Sequence, residues 1–142
     1  MKSIKELLPH REPFLFVEEL ENITEDTIIG YRTFTEDDFF FRGHFPEYPV
    51  VPGVILIETM AQCGGAGVRA SGTLGDDALF FLATVDKAKF RKQVRPGDKV
   101  RMEIKNIRVS KKMIKQSGKA FVGEDIAAEA EWLCLVGDSS SV

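Results

Sequence analysis

Residues 54–69 constrain the fold of this chain more than any other part of the sequence. Before Arg69 at its end, this segment has only three polar side chains, those of Glu58, Thr59 and Gln62. A helix that is apolar on almost every side must be buried on almost every side. The sequence therefore predicts one central helix that the rest of the chain surrounds.

The segments around this helix have the patterns of β-strands. Residues 79–85 are continuously apolar, and residues 100–105 and 126–134 alternate apolar with polar side chains. Residues 14–17 and 27–34 are apolar, β-branched or aromatic and read as a strand pair. Strands and helices do not alternate regularly, so we predict an α+β domain in which an antiparallel sheet of about six strands wraps one helix.

The length of 142 residues is typical of one domain, so we predict a single domain over residues 1–142 with a loose tail at 138–142. The beginning of the chain lacks the apolar stretch of a signal peptide, and no segment approaches a membrane span, so the cytoplasm is the expected compartment. Cys63 and Cys134 have no metal-binding or redox spacing, and we interpret them as reduced core thiols.

Charge is distributed unevenly along the chain. The formal net charge is −3, which argues against nucleic-acid binding, yet residues 86–119 contain thirteen Lys and Arg and only three Asp and Glu. Two interpretations stay open. These bases line the solvent faces and edges of strands, where lysine blocks pairing with another sheet, or they form a docking face for an acidic partner.

His44 is the stronger candidate of the two histidines for a catalytic role. It lies in a loop that Pro46, Pro49 and Pro52 stiffen. Such a loop can hold an imidazole in one orientation for proton transfer. His10 lies near the beginning of the chain, and we interpret it as a structural histidine.

Glu58 and Gly53 add two further chemical groups. A carboxylate in a nearly all-apolar helix is costly unless it is paired, protonated or catalytic, and burial raises its pKa toward that of a general acid. A Glu58 that emerges at the rim or pairs with an arginine is the alternative. We expect the helix to begin at Pro52 or Gly53, where free backbone N–H groups can stabilise negative charge on a substrate oxygen and a glycine lets that oxygen approach closely.

Two motifs contain these residues. They are Gly43-His44-Phe45-Pro46-x-x-Pro49-x-x-Pro52-Gly53-Val54 and Glu58-x-Met60-Ala61-Gln62. Both closely resemble the signature of the hot-dog-fold 3-hydroxyacyl-[acyl-carrier-protein] dehydratases of fatty acid synthesis. The resemblance extends to residues 8–15, 86–91, 96–98 and 128–131, and so covers nearly the whole chain.

The resemblance implies a hot-dog fold, homodimers with shared active sites that commonly assemble as trimers of dimers, and no metal or organic cofactor. The implied reaction removes water from a (3R)-3-hydroxyacyl thioester and yields the trans-2-enoyl thioester. His44 would remove the C2 proton, and Glu58 of the other subunit would protonate the departing hydroxyl. The amide of Gly53 would polarise the thioester carbonyl.

The resemblance also implies an acyl-chain tunnel at the dimer interface. Phe45 and Phe81 are candidate lining residues, although Phe81 as plain core is an open alternative. Gln62 is expected to hold Glu58 or a water molecule. The implied partner is an acidic acyl carrier protein, and the candidate docking residues are Lys87, Lys89, Arg91 and Lys92.

The chain also departs from the family pattern. Glu18-Glu19 replaces the usual Asp and basic residue, and Thr59 and residues 63–67 are less typical. These differences leave open the acyl-chain length and whether the pathway is fatty acid synthesis or a specialised polyketide-like or aryl-polyene one. A related group that also isomerises the double bond has Asp at the position of Glu58, which favours simple dehydration here.

Two other functions remain as alternatives to the dehydratase. A hot-dog acyl thioesterase also needs a carboxylate, but the loop at residues 44–46 argues against it. The other alternative is a subunit that binds the acyl carrier protein without catalysis.

Overall fold

The computed structural model describes residues 2–75 and 77–137, so the tail expected at 138–142 lies outside the described residues. The secondary structure elements follow in this order: α1 (Ile4–Leu7), β1 (Glu19–Ile23), β2 (Thr27–Thr33), a 3-10 helix (Phe39–Arg42), α2 (Gly53–Ala70), β3 (Leu79–Phe90), β4 (Lys99–Val109), β5 (Met113–Val122) and β6 (Asp125–Gly137). In this part of the chain, no helix combines the length and hydropathy needed to cross a membrane.

The six strands form one antiparallel sheet in the order β1-β2-β4-β5-β6-β3. The helix α2 packs against all six strands. The predicted architecture, a central helix wrapped by an antiparallel sheet, is therefore confirmed. Strand β3 lies at one edge of the sheet and pairs only with β6 among the described strands.

Burial of α2 follows from its composition, since fourteen of its 18 residues are buried. Its glycines allow the sheet to approach closely. A Cβ atom built on Gly64 would lie 2.0 Å from Oε1 of Gln116, and one built on Gly65 would lie 2.3 Å from Cε2 of Phe80. Alanine has the higher helix propensity, but close packing at these positions excludes its methyl group.

The strand predicted at residues 14–17 is wrong, because β1 begins only at Glu19. Phe16 and Val17 are buried instead in the core beside α2. The backbone N–H of Phe16 donates to the side chain of Gln62 at 2.9 Å. The apolar run correctly predicts burial of this segment. It does not form a strand, because the backbone N–H of Phe16 is hydrogen-bonded to a side chain of α2 instead of to a neighbouring strand.

Candidate active site

The loop that contains His44 is closed by its own hydrogen bonds. The N–H of Val50 donates to the carbonyl of His44 at 3.0 Å, and Nδ1 of His44 lies 3.1 Å from the carbonyl oxygen of Val50. A carbonyl only accepts, so Nδ1 carries a hydrogen, and this bond selects the tautomer whose lone pair is on Nε2. The ring is stacked on Phe45 at 4.3 Å between centroids. His44 is thus oriented to accept a proton at Nε2.

Gly53 is the first residue of α2, directly after the N-cap residue Pro52. Helix geometry leaves its N–H without an acceptor inside the helix, and the helix dipole gives this end partial positive charge. A Cβ atom at this position would lie 2.7 Å from Cε1 of Phe90. The glycine therefore keeps the beginning of α2 next to an aromatic ring of β3.

Glu58 lies on the second turn of α2 with its side chain 22% exposed. Its Oε2 accepts a hydrogen bond of 2.9 Å from Nε2 of Gln62 and lies 3.7 Å from Nε2 of His10. Partial burial raises the pKa of Glu58, and the hydrogen bond from Gln62 opposes that rise. Among the described residues, Glu58 is paired with Gln62 and His10 rather than with an arginine, it is not fully exposed at the rim, and its raised pKa suits a general acid.

Gln62 uses both ends of its amide. Its Oε1 accepts from the N–H of Phe16, and its Nε2 donates to the carbonyl of Phe14 at 3.0 Å as well as to Glu58. The side chain is 1% exposed. These three bonds fix the amide and, through it, one oxygen of Glu58.

His44 and Glu58 have separate polar partners within one chain. No ion pair or hydrogen bond joins them among the described residues, although each has other polar contacts. Glu58 instead lines a cavity of about 20 Å³. The other residues around this cavity are His10, Ala61, Gln62, Phe80, Leu82 and Cys134.

His10 lines the same cavity as Glu58, which goes beyond the structural role that its place near the beginning of the chain predicts. The signal available was its place in the motif at residues 8–15, which resembles the beginning of the family's chains. That motif says nothing of contacts between distant residues. The irregular segment that follows α1 places His10 next to Glu58 of α2.

Phe45 and Phe81, the candidate tunnel residues, are 54% and 43% exposed. Phe81 lies on the edge strand β3 and is not core, which removes that alternative. Further exposed apolar side chains lie on β3 and on the neighbouring strand β6. These are Leu82, Val85, Phe90 and Leu135.

Three of the four candidate docking residues form ion pairs with acids on β6. Lys87 pairs with Glu131 at 3.3 Å, Arg91 with Glu129 at 3.1 Å, and Lys92 with Asp125 at 3.0 Å. Lys89 lies opposite Glu129 in the β3–β6 register. Most of these bases therefore have acidic partners on the neighbouring strand, as expected for residues on the solvent face of a sheet. Among the described residues, no three or more His, Cys, Asp or Glu side chains are grouped to hold a metal ion.

Solved structures with a similar backbone identify the fold class. A chain of the dehydratase heterocomplex ApeI:P from Xenorhabdus doucetiae has a TM-score of 0.83 at 18% identity, covering 99% of this chain and 94% of that chain. A putative thioesterase from Ralstonia eutropha has a TM-score of 0.64 at 17% identity, covering 82% of this chain and 83% of the other. At these identities the likeness establishes the fold alone, and that fold is the hot-dog fold.

Sequence relatives identify the family within this class. The model of the FabA-like domain matches residues 8–131. The 3-hydroxyacyl-[acyl-carrier-protein] dehydratase FabZ of Desulforamulus reducens is 42% identical over 138 residues, which cover 96% of each chain. The FabZ of Clostridium kluyveri is 37% identical over 141 residues, covering 99% of this chain and 97% of that one. The chain belongs to the FabA-like family.

Proposed function

We propose that this chain catalyses dehydration of (3R)-3-hydroxyacyl-[acyl-carrier-protein] to trans-2-enoyl-[acyl-carrier-protein] in fatty acid biosynthesis. Near-full-length relatives carry the name of this dehydratase. The structural observation that carries the proposal is Glu58, a half-buried carboxyl group whose pKa is raised and whose Oε2 is held by Gln62. A hydroxyl group leaves readily only as water, so the reaction needs such an acid.

In the proposed reaction, Nε2 of His44 takes the proton from C2 of the substrate. Electrons of the broken C–H bond form the C2–C3 double bond, while the C3–O bond breaks and the oxygen receives the proton of Glu58. Negative charge develops on the thioester oxygen as the C2 proton leaves. The N–H of Gly53 stabilises that charge. The products are the enoyl thioester and water, and the two residues return to their initial states by exchanging protons with solvent.

We further infer that the site forms between two chains, with His44 from one and Glu58 from the other. Two observations support this inference. Within the described part of one chain, no hydrogen bond or ion pair joins the two residues, and the edge strand β3 exposes several large apolar side chains. An exposed apolar edge strand is an aggregation hazard unless another surface covers it. Assembly of such dimers into trimers belongs to the same proposal.

The remaining roles follow from this arrangement. Phe45 and Phe81 line the path of the acyl chain, and the exposed bases of residues 87–92 dock the acidic carrier protein. The reaction takes place in the cytoplasm and needs no metal or organic cofactor.

The test is interconversion of a short 3-hydroxyacyl and enoyl carrier-protein pair, followed by absorbance of the conjugated enoyl thioester. Wild type should interconvert the two, and His44→Ala and Glu58→Gln should each lose at least ~100-fold in kcat while remaining folded oligomers. Release of free thiol would favour a thioesterase. Binding of carrier protein without turnover would favour the non-catalytic alternative.

A further inference from the structure

His10 approaches Glu58 from the segment that follows α1. Nε2 of His10 lies 3.7 Å from Oε2 of Glu58, and the His10 side chain is 20% exposed. The imidazole ring also packs against the ring of Phe80, with 5.9 Å between centroids. The two polar groups therefore face each other at the wall of the small cavity described above.

The surroundings of His10 determine which nitrogen carries its hydrogen. Burial lowers the pKa of His10, so the ring is neutral near pH 7 and has one N–H. Nδ1 is buried and has no hydrogen-bond partner among the residues that the structure describes. A hydrogen on Nδ1 would be a buried donor without an acceptor, whereas a hydrogen on Nε2 faces the carboxyl of Glu58. The geometry therefore favours the Nε2–H tautomer.

Two donors then converge on one oxygen of Glu58. The amide of Gln62 donates to Oε2, and the Nε2–H of His10 faces the same atom. In a protonated carboxyl group, one oxygen carries the hydrogen and the other is a carbonyl oxygen that accepts hydrogen bonds. Because Oε2 faces two donors, Oε2 is the carbonyl oxygen. The transferable proton is consequently on Oε1.

We propose that His10 is a positioning residue for Glu58, donating from Nε2 to Oε2 of the carboxylate that forms when Oε1 gives its proton to the leaving hydroxyl. This inference rests on the proposed function. The Oε1–H bond breaks, an O–H bond of water forms as the C3–O bond breaks, and His10 keeps its hydrogen throughout. Donors aimed at a developing charge in a low-dielectric site stabilise the transition state, and such bonds shorten in the substrate complex.

The pH dependence of this arrangement involves few groups. Around the cavity that Glu58 lines, the titratable side chains are those of His10, on the segment after α1, and Cys134, on β6. Burial raises the pKa of Cys134 to about 12, so its thiol stays neutral. The other lining residues on α2 and β3, which are Ala61, Gln62, Phe80 and Leu82, do not titrate. A shift in the basic limb of kcat on changing His10 would therefore report on Glu58.

The experiment compares His10→Phe with His10→Gln in the full-length assembled enzyme, using the short carrier-protein substrates. Phenylalanine keeps the ring that packs on Phe80 but has no donor, while glutamine offers an N–H within reach of Oε2. For His10→Phe we expect kcat to fall about tenfold to a hundredfold with little change in KM. The basic limb of kcat should move to higher pH, because the carboxylate is less stabilised. His10→Gln should recover most of both changes.

Wild-type kcat and an unshifted pH profile in His10→Phe would overturn the inference. Equal impairment of the two variants with no movement of the basic limb would also overturn it, because that is the signature of a purely structural role. Should His10→Phe fail to fold, the ¹⁵N spectrum of the wild-type ring decides the matter: the Nε2–H tautomer supports the inference and the Nδ1–H tautomer contradicts it. An inactive wild type refutes the proposed function separately.

Discussion

Nε2 of Gln62 lies 2.9 Å from Oε2 of Glu58, one turn earlier on α2. The same amide is bonded to the backbone of Phe14 and Phe16. Its position is therefore set by the extended segment that precedes β1 and not by Glu58. Because the Gln62 amide is held by backbone groups, it can keep Oε2 of Glu58 in place whether the carboxyl group is protonated or ionised.

The raised pKa of Glu58 predicts how stability changes with pH. The folded chain keeps this proton to higher pH than the unfolded chain, whose Glu titrates at about 4.3. Stability is thus lost as pH rises from that value through the raised pKa. Glu58→Gln removes this loss and still offers an acceptor to Gln62. We expect Tm to rise by about 2–6 °C at pH 7, with no difference near pH 4.

Thermal unfolding of both proteins across this pH range is the measurement. Glu36→Gln, which changes an exposed carboxyl group, is the matched control and should leave Tm unaltered. A Glu58→Gln protein that is no more stable than wild type at pH 7 would mean that ionising Glu58 carries no cost in the folded state.

Much of the fold could be predicted because a buried helix leaves a strong sequence signal. The segment at 54–69 corresponds to α2 within one residue at each end, and the alternation at 126–134 lies within β6. Strand β5 is harder to see. Its buried positions include Gln116 and Gly118 beside Ile114 and Ala120, so its inward face is not uniformly apolar. Trp132 and the backbone of Gly64 satisfy the buried amide of Gln116.

The site could be predicted only in part. His44 stands out because prolines follow it in its loop, and Gly53 because it follows a proline at the start of an apolar segment. Glu58 stands out because it is a charged residue within that apolar segment. The contact of His10 with Glu58 joins residues 48 positions apart and depends on how the segment after α1 packs. The spacing of residues along the chain does not encode such a packing distance, so the sequence pattern missed it.

Close packing of α2 makes a second prediction, about Gly64. In an exposed helix, Gly→Ala stabilises by about 1 kcal/mol. Here the new Cβ would lie 2.0 Å from Oε1 of Gln116. The Gln116 amide cannot easily move away, because its Oε1 accepts a hydrogen bond from Trp132 and its Nε2 donates one to Asn106. We expect Gly64→Ala to destabilise by about 1–3 kcal/mol. Denaturant unfolding measures this, with Gly75→Ala as the neutral control, since its Cβ would meet only an ordinary contact at 3.5 Å.

Docking of the carrier protein makes the third prediction. Reversing charge with Lys89→Glu and Lys92→Glu together should raise KM for a carrier-bound substrate about tenfold, because steering of an acidic partner is lost. The value of kcat should stay unchanged, and the difference should shrink at about 1 M salt. Steady-state kinetics measures this.

Two controls accompany the docking experiment. Lys111→Glu with Lys112→Glu makes the same change of charge in the turn between β4 and β5, and a small thioester without carrier protein removes the partner. If both pairs of substitutions act equally, the effect comes from net charge and the proposed docking face is wrong.

The proposal that two chains share each active site makes the fourth prediction, which concerns mixed dimers. Chains with His44→Ala and chains with Glu58→Gln are each expected to be inactive alone. When the two are co-expressed in equal amounts, about half of the dimers contain one chain of each kind. If His44 works with Glu58 of the other subunit, each mixed dimer has one intact site and one doubly defective site. Activity should therefore return to about a quarter of that of wild type.

A site contained within one chain gives the opposite result, because every chain in the mixture would lack one of its two residues. The control combines His44→Ala chains with chains that carry both substitutions, a mixture in which neither arrangement restores a site. Complementation above that control would establish the intersubunit pairing. Its absence in dimers verified to be mixed would assign both residues to one chain, and His44 would then have to approach Glu58 by a movement of the loop at residues 44–52.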